Sequence, residues 1–115
     1  MKKKIVIFIS GRGTNALNII NWFRNSNEIS VKKVYSNNKN SPFFKDQNDS
    51  RTDSSYFSNE QLSNGVFEEL KIIDPDLIVL AGFLKKIPAI YLDYFKNKVI
   101  NIHPSILPSY GGKGM

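Results

Sequence analysis

Asn101-Ile102-His103-Pro104 sets an amide and an imidazole two positions apart. In a strand, two such positions project on the same face. Imidazole titrates near neutral pH and can donate or accept a proton. A primary amide can donate to a carbonyl oxygen as that carbon becomes tetrahedral. The pair therefore suits a reaction with a developing oxyanion and a moving proton. The plainer alternative is a lone histidine satisfied by an ordinary hydrogen bond. Ser105 and Ser109 are too common in loops to add a serine–histidine–aspartate reading.

A second group with chemical content is Gly11-Arg12-Gly13-Thr14-Asn15-Ala16. It fits the dinucleotide pattern G-x-G-x-x-G/A literally. Glycines let the backbone turn tightly beside an anion, and the free N–H groups of a following helix point at it. An NAD site also needs an acid at the end of the next strand to hold the ribose hydroxyls. That position reads Tyr35-Ser36-Asn37-Asn38, with no acid for NAD and no arginine for NADP. A single phosphate group fits better, with the Thr14 hydroxyl and the Asn15 amide as added donors. A bare turn with Thr14 as helix N-cap is the alternative. Third, Gly82 leaves room for a ligand, and Phe83 and Leu84 either line an apolar wall or simply pack in the core.

These groups need elements to carry them. Ile5 to Ile9 is a continuous apolar run without alternation, the pattern of a strand buried on both faces. A glycine turn follows, then Ala16, Leu17, Ile19, Ile20 and Phe23 at helical spacing over about 14–24, then a strand from Val31 to Tyr35: one βαβ unit. Leu62, Val66, Phe67, Leu70 and Ile73 fall on one helical face that Asp74-Pro75 ends. Leu77 to Ala81 is another buried strand, Pro88 to Phe95 a short helix, Val99 to Ile102 the last strand, and His103 to Met115 a loop. The alternation predicts an α/β fold with a parallel, doubly wound, Rossmann-like sheet, as one domain over 1–115. Ligands then gather at the carboxyl ends of strands, where all three groups lie. Between Ser36 and Asn59 the composition turns polar; residues 41–55 are expected to form a mobile loop, with at most a short edge strand at Phe43-Phe44.

Composition narrows the chemistry. There is no cysteine and one histidine. That excludes a disulfide framework, thiol catalysis and a cysteine or multi-histidine metal site within these residues; no metal is expected. Lysine and arginine number 16 against 10 acids, a net charge of +6. The lysines are scattered and do not alternate with aromatic residues, so a nucleic-acid platform is not expected. A diffuse field that draws in small anions fits better. The run Leu77 to Leu84, broken by Gly82, is far short of a membrane span. The lysine-led start lacks the h-region and cleavage site of a signal peptide, and a cytoplasmic protein is expected.

Three segments, in order, resemble the phosphoribosylglycinamide formyltransferases: Ser10-Gly11-Arg12-Gly13-Thr14-Asn15, Asp76 through Phe83, and Asn101-Ile102-His103-Pro104-Ser105-Ile106-Leu107-Pro108. The last segment marks the wider formyltransferase superfamily, and the first points to the glycinamide enzyme. The resemblance implies transfer of a formyl group from 10-formyltetrahydrofolate, a co-substrate, to the amine of glycinamide ribonucleotide in de novo purine synthesis. It implies Gly13, Thr14 and Asn15 on the substrate phosphate, with Gly82 against the same substrate and Pro104 shaping the pocket. Leu84, Lys85, Lys86, Ile87 and Asn101 would meet the folate, and Asn101 and His103 would be catalytic. Two features depart from that family. Its aspartate downstream of the histidine has no counterpart, since no acid follows His103. The helix expected after the second strand and the arginine that reaches the nucleotide are not recognisable either. The resemblance therefore implies an N-terminal portion of the fold, a binding half with weak or no catalysis alone. A deformylase-like hydrolase of the same superfamily and a non-catalytic phosphate-binding α/β module are the alternatives.

Overall fold

The run of β-branched residues near the start forms the centre of the sheet. In a computed structural model, which describes residues 2–49 and 51–102, strand β1 is Lys3–Ile9. It is followed by α1 (Thr14–Trp22), β2 (Ile29–Ser36), α2 (Phe43–Asp46), β3 (Asp53–Tyr56), α3 (Asn59–Leu62), α4 (Gly65–Ile73), β4 (Leu77–Ala81), α5 (Ala89–Tyr94) and β5 (Val99–Ile102). All pairings are parallel and the strand order is β3-β2-β1-β4-β5. Helices cover both faces of β1, so Ile5 through Ile9 are all buried. Ile5, Ile7 and Ile9 pack toward Ala16 and Ile20 of α1, and Val6 and Phe8 toward α4 and α5. Among the described residues no helix is long and apolar enough to cross a membrane.

Phe8 sits at the centre of an aromatic cluster. Its ring stacks on Tyr35 at 5.1 Å and meets Phe83 at 5.4 Å and Phe57 at 5.8 Å. Tyr35 and Tyr91 are both buried, and each hydroxyl donates to a fixed partner: Tyr35 to the Glu69 carboxylate, Tyr91 to the Leu62 carbonyl at 2.5 Å. Burial pushes both phenols well above their ordinary range, and for Tyr35 the Glu69 carboxylate adds to it. A folded-state pKa above the unfolded value near 10 means stability is present below pH 10 and lost as pH rises past it. Tyr91→Phe removes one such group. Its urea midpoint is expected to fall less than that of the parent chain between pH 9 and pH 11, by about 1.4 kcal/mol of unfolding free energy at pH 11. Equal losses in the two proteins would refute this.

The segment 41–55, expected as a mobile loop, instead contains α2 and the first three residues of β3. Phe43-Phe44 is helical and not a strand because Pro42, at φ −58°, starts a helical turn and the Ser41 hydroxyl accepts the Phe43 N–H at 3.2 Å. Phe43 is fully buried on the α1 side of the sheet. The edge strand is Asp53–Tyr56, a polar run with no apolar pattern to announce it. It is held by the Thr52 hydroxyl donating to the Val31 carbonyl at 2.9 Å and by Lys33, whose ammonium lies 3.1 Å from Asp53 and 3.5 Å from Glu69. The single helix expected over 62–73 is two. Ser58 and Gln61 form a capping box that starts α3, and α4 begins afresh at Gly65.

Candidate substrate site at the carboxyl end of the sheet

β1 and β4 are neighbours and run in parallel, so the loops that leave them start side by side. The chain turns out of β1 through Ser10 to Gly13. Gly13 has φ +82°, a left-handed conformation that disfavours any side chain, and it takes the N-cap position of α1. Thr14, expected as a possible N-cap, is therefore the first helical residue, and no side chain caps the helix. The N–H groups of the first turn have no partner within the helix, and the first turn carries no acid. Arg12 and Thr14 are exposed and Asn15 is half-buried. The helix start thus offers several donors and a positive dipole end with no acid in its own first turn to neutralise it.

The loop after β4 lies against this turn. The Ser10 hydroxyl accepts the Leu84 N–H at 2.8 Å. Gly82, at φ +70°, is exposed, with open space where a Cβ would stand. Phe83 turns into the core against Phe8, while Leu84, 86% exposed, turns out with Lys85 and Lys86. Ile87 is buried in the aromatic cluster, so its side chain is core packing. The loop after β2 supplies a third wall. Ser41, buried, donates its hydroxyl to the Gly11 carbonyl at 2.6 Å, and the Asn37 N–H reaches the Ile9 carbonyl at 3.4 Å. No acid stands at the end of β2; Ser36, Asn37 and Asn38 occupy it, and the Ser36 hydroxyl is spent on the Asn38 backbone.

Asn101 pairs in register with Leu80, which pairs with Phe8, so the three lie in one row across β5, β4 and β1. The amide is exposed, one residue before the last residue of β5. His103 and Pro104 lie outside the described residues. Arg51 is remote from these loops. It forms an ion pair with Asp49 at 3.1 Å and lines a small cleft with Lys2, Ile29 and Ser30 at the amino end of the sheet. Its guanidinium holds the Asp49 carboxyl below the usual carboxylate range. A groove of about 470 Å³ lined by Lys4, Lys33, Asp53, Glu69 and Ile73 also lies away from the glycine turn. The contacts of Ser10 and Ser41 were not foreseeable, since a serine bonded across two loops leaves no periodic trace in a sequence.

The family model for formyl transferases matches residues 3–115. The chain belongs to the formyl transferase family. Curated members similar to it include the phosphoribosylglycinamide formyltransferases of Haemophilus influenzae and Escherichia coli. The first is 34% identical over 96% of this chain and 55% of its own length, the second 32% identical over 94% and 54%. Among solved structures, the phosphoribosylglycinamide formyltransferase of Coxiella burnetii superposes with a TM-score of 0.78 at 30% identity, covering 97% of this chain and 56% of its own. The chain thus spans about half the length of the formyl transferases it matches. All the strand-end loops described above lie inside the matched region.

Proposed function

We propose that this chain is the nucleotide-binding portion of a phosphoribosylglycinamide formyltransferase. It would transfer the formyl group of 10-formyltetrahydrofolate to the amine of glycinamide ribonucleotide, a step of purine synthesis. The observation that carries this reading is the glycine turn: an uncapped helix start with open N–H donors, no acid at the end of β2, and the β4 loop bonded to it through Ser10. Gly13, Thr14 and Asn15 would hold the phosphate, and Gly82 would lie against the sugar-bearing substrate. The exposed Leu84, Lys85 and Lys86, with the backbone of Ile87, would meet the folate.

In the reaction the amine lone pair attacks the formyl carbon, and the carbonyl oxygen becomes an oxyanion. The bond from that carbon to the folate nitrogen then breaks, and the proton lost by the amine ends on that nitrogen. The Asn101 amide is suited to donate to the oxyanion, and the imidazole of His103 to carry the proton. Pro104 would shape the pocket around them. The phosphate assignment is tested by titrating the chain with glycinamide ribonucleotide and with NAD while following the amide resonances of Gly13 and Thr14. The ribonucleotide is expected to shift them strongly and NAD weakly. A stronger response to NAD would overturn the monophosphate reading.

A further inference from the structure

The polar stretch after β2 folds back under the glycine turn. Phe43 is fully buried, and a Cβ placed on Gly13 would stand 2.9 Å from both the Cβ and Cδ1 atoms of Phe43. The ring therefore fills the space behind the turn and prevents Gly13 from moving inward. Beside it, the buried Ser41 hydroxyl is engaged twice: it donates to the Gly11 carbonyl at 2.6 Å and accepts the Phe43 N–H at 3.2 Å. The peptide unit from Gly11 to Arg12 is planar and trans, so its C=O and N–H point in opposite directions. With the carbonyl pinned to Ser41, the Arg12 N–H is turned to the opposite side, and the oxygen lone pairs cannot swing to where they would repel an anion.

We propose that Ser41 and Phe43 are positioning residues for the phosphate group of the substrate, holding the glycine turn in the one conformation that presents donors and hides acceptors. This rests on the reading of the turn as a phosphate site. Neither residue touches the ligand; Ser41 acts through the Gly11 carbonyl and Phe43 through Gly13.

The test is the affinity of the full chain for glycinamide ribonucleotide, followed by the amide shifts of residues 11–15, in Ser41→Ala, Ser41→Cys and Ser41→Thr variants. Losing a fully formed buried hydrogen bond is expected to weaken binding about tenfold in Ser41→Ala. Ser41→Cys keeps the volume and offers a weaker donor, so it retains the packing and should lie between the two. Ser41→Thr, which restores the hydroxyl, should return the affinity to within about threefold of the parent. Far-UV circular dichroism establishes that each variant is folded, and Ser41→Cys alone decides the matter if Ser41→Ala does not fold. A parent chain whose turn does not respond to the ribonucleotide overturns the phosphate reading and this inference together. A parent that binds, with Ser41→Cys and Ser41→Ala binding as tightly as the parent, overturns only the positioning role.

Discussion

Replacing Gly13 by alanine is expected to destabilise the chain by roughly 2–5 kcal/mol and to abolish ligand-induced shifts in the turn. Two costs add. A side chain at φ +82° costs about 1–2 kcal/mol, and a methyl group 2.9 Å from the Phe43 ring adds an overpacking cost of about 1–3 kcal/mol. Against a total stability of about 5–15 kcal/mol for an ordinary domain, that is a large fraction. Two other glycines make the comparison specific. Gly82 shares the left-handed backbone but has open space around its Cβ position, so Gly82→Ala should cost only the backbone part, about 1–2 kcal/mol. Gly11 is exposed, without a positive φ and without a neighbour within 4 Å, so Gly11→Ala should stay within about 0.5 kcal/mol. Urea denaturation of the three variants should rank them Gly13, Gly82, Gly11. A Gly13→Ala variant as stable as Gly11→Ala would show that Phe43 does not close the space behind the turn.

The second large effect is on catalysis. In the 115-residue chain no acid follows His103 to fix its tautomer, so formyl transfer by this chain alone is expected to be negligible. Among the described residues β5 is an edge strand, with Ile100 44% exposed, and the curated relatives have nearly as much chain again outside the matched half. Joining the remaining part of the Haemophilus influenzae relative after Met115 is expected to restore turnover. In that extended protein Asn101→Ala should lower kcat by about 10²–10³-fold, the cost of removing one oxyanion donor. His103→Ala should lower it by about 10²–10⁴-fold, the usual worth of a positioned proton carrier. Both losses should appear in kcat more than in KM, because each interaction strengthens only as the formyl carbon becomes tetrahedral. Full activity of the short chain would refute the need for a downstream partner, and an undiminished His103→Ala would refute the role of the imidazole.

What could be read from the sequence follows the kind of force that holds each part. β1 and β4 were legible because burial on both faces of the sheet demands apolar runs, as at Ile5–Ile9 and Leu77–Ala81; β5, Val99–Ile102, is half-exposed and was legible from its β-branched residues. The glycine turn, Gly82 and Asn101 were legible as strand ends, a topological property. α2 and β3 were not. β3 has an exposed, polar sequence and is held by Thr52 and Lys33, and α2 depends on Pro42 and a single serine hydroxyl. Polar cross-links between distant residues carry no period, so the same blindness hid the contact of Ser10 with Leu84 and the closure of Ser41 on Gly11.

The central position of β1 also governs how the chain meets the ribosome. β1 is made early, yet its β4 neighbour arrives late: the bond from the Lys4 N–H to the Asp76 carboxylate spans 72 residues. At about 5–20 residues per second, that interval lasts roughly 4–14 s. Until β4 is made, Ile5 to Ile9 has at most β2 beside it, once residues 29–36 are made, and its other, wholly apolar edge is unpaired, a template for any nascent strand nearby. The yield of folded protein is therefore expected to fall when translation between β1 and β4 is slowed, before the native structure exists to protect its own centre.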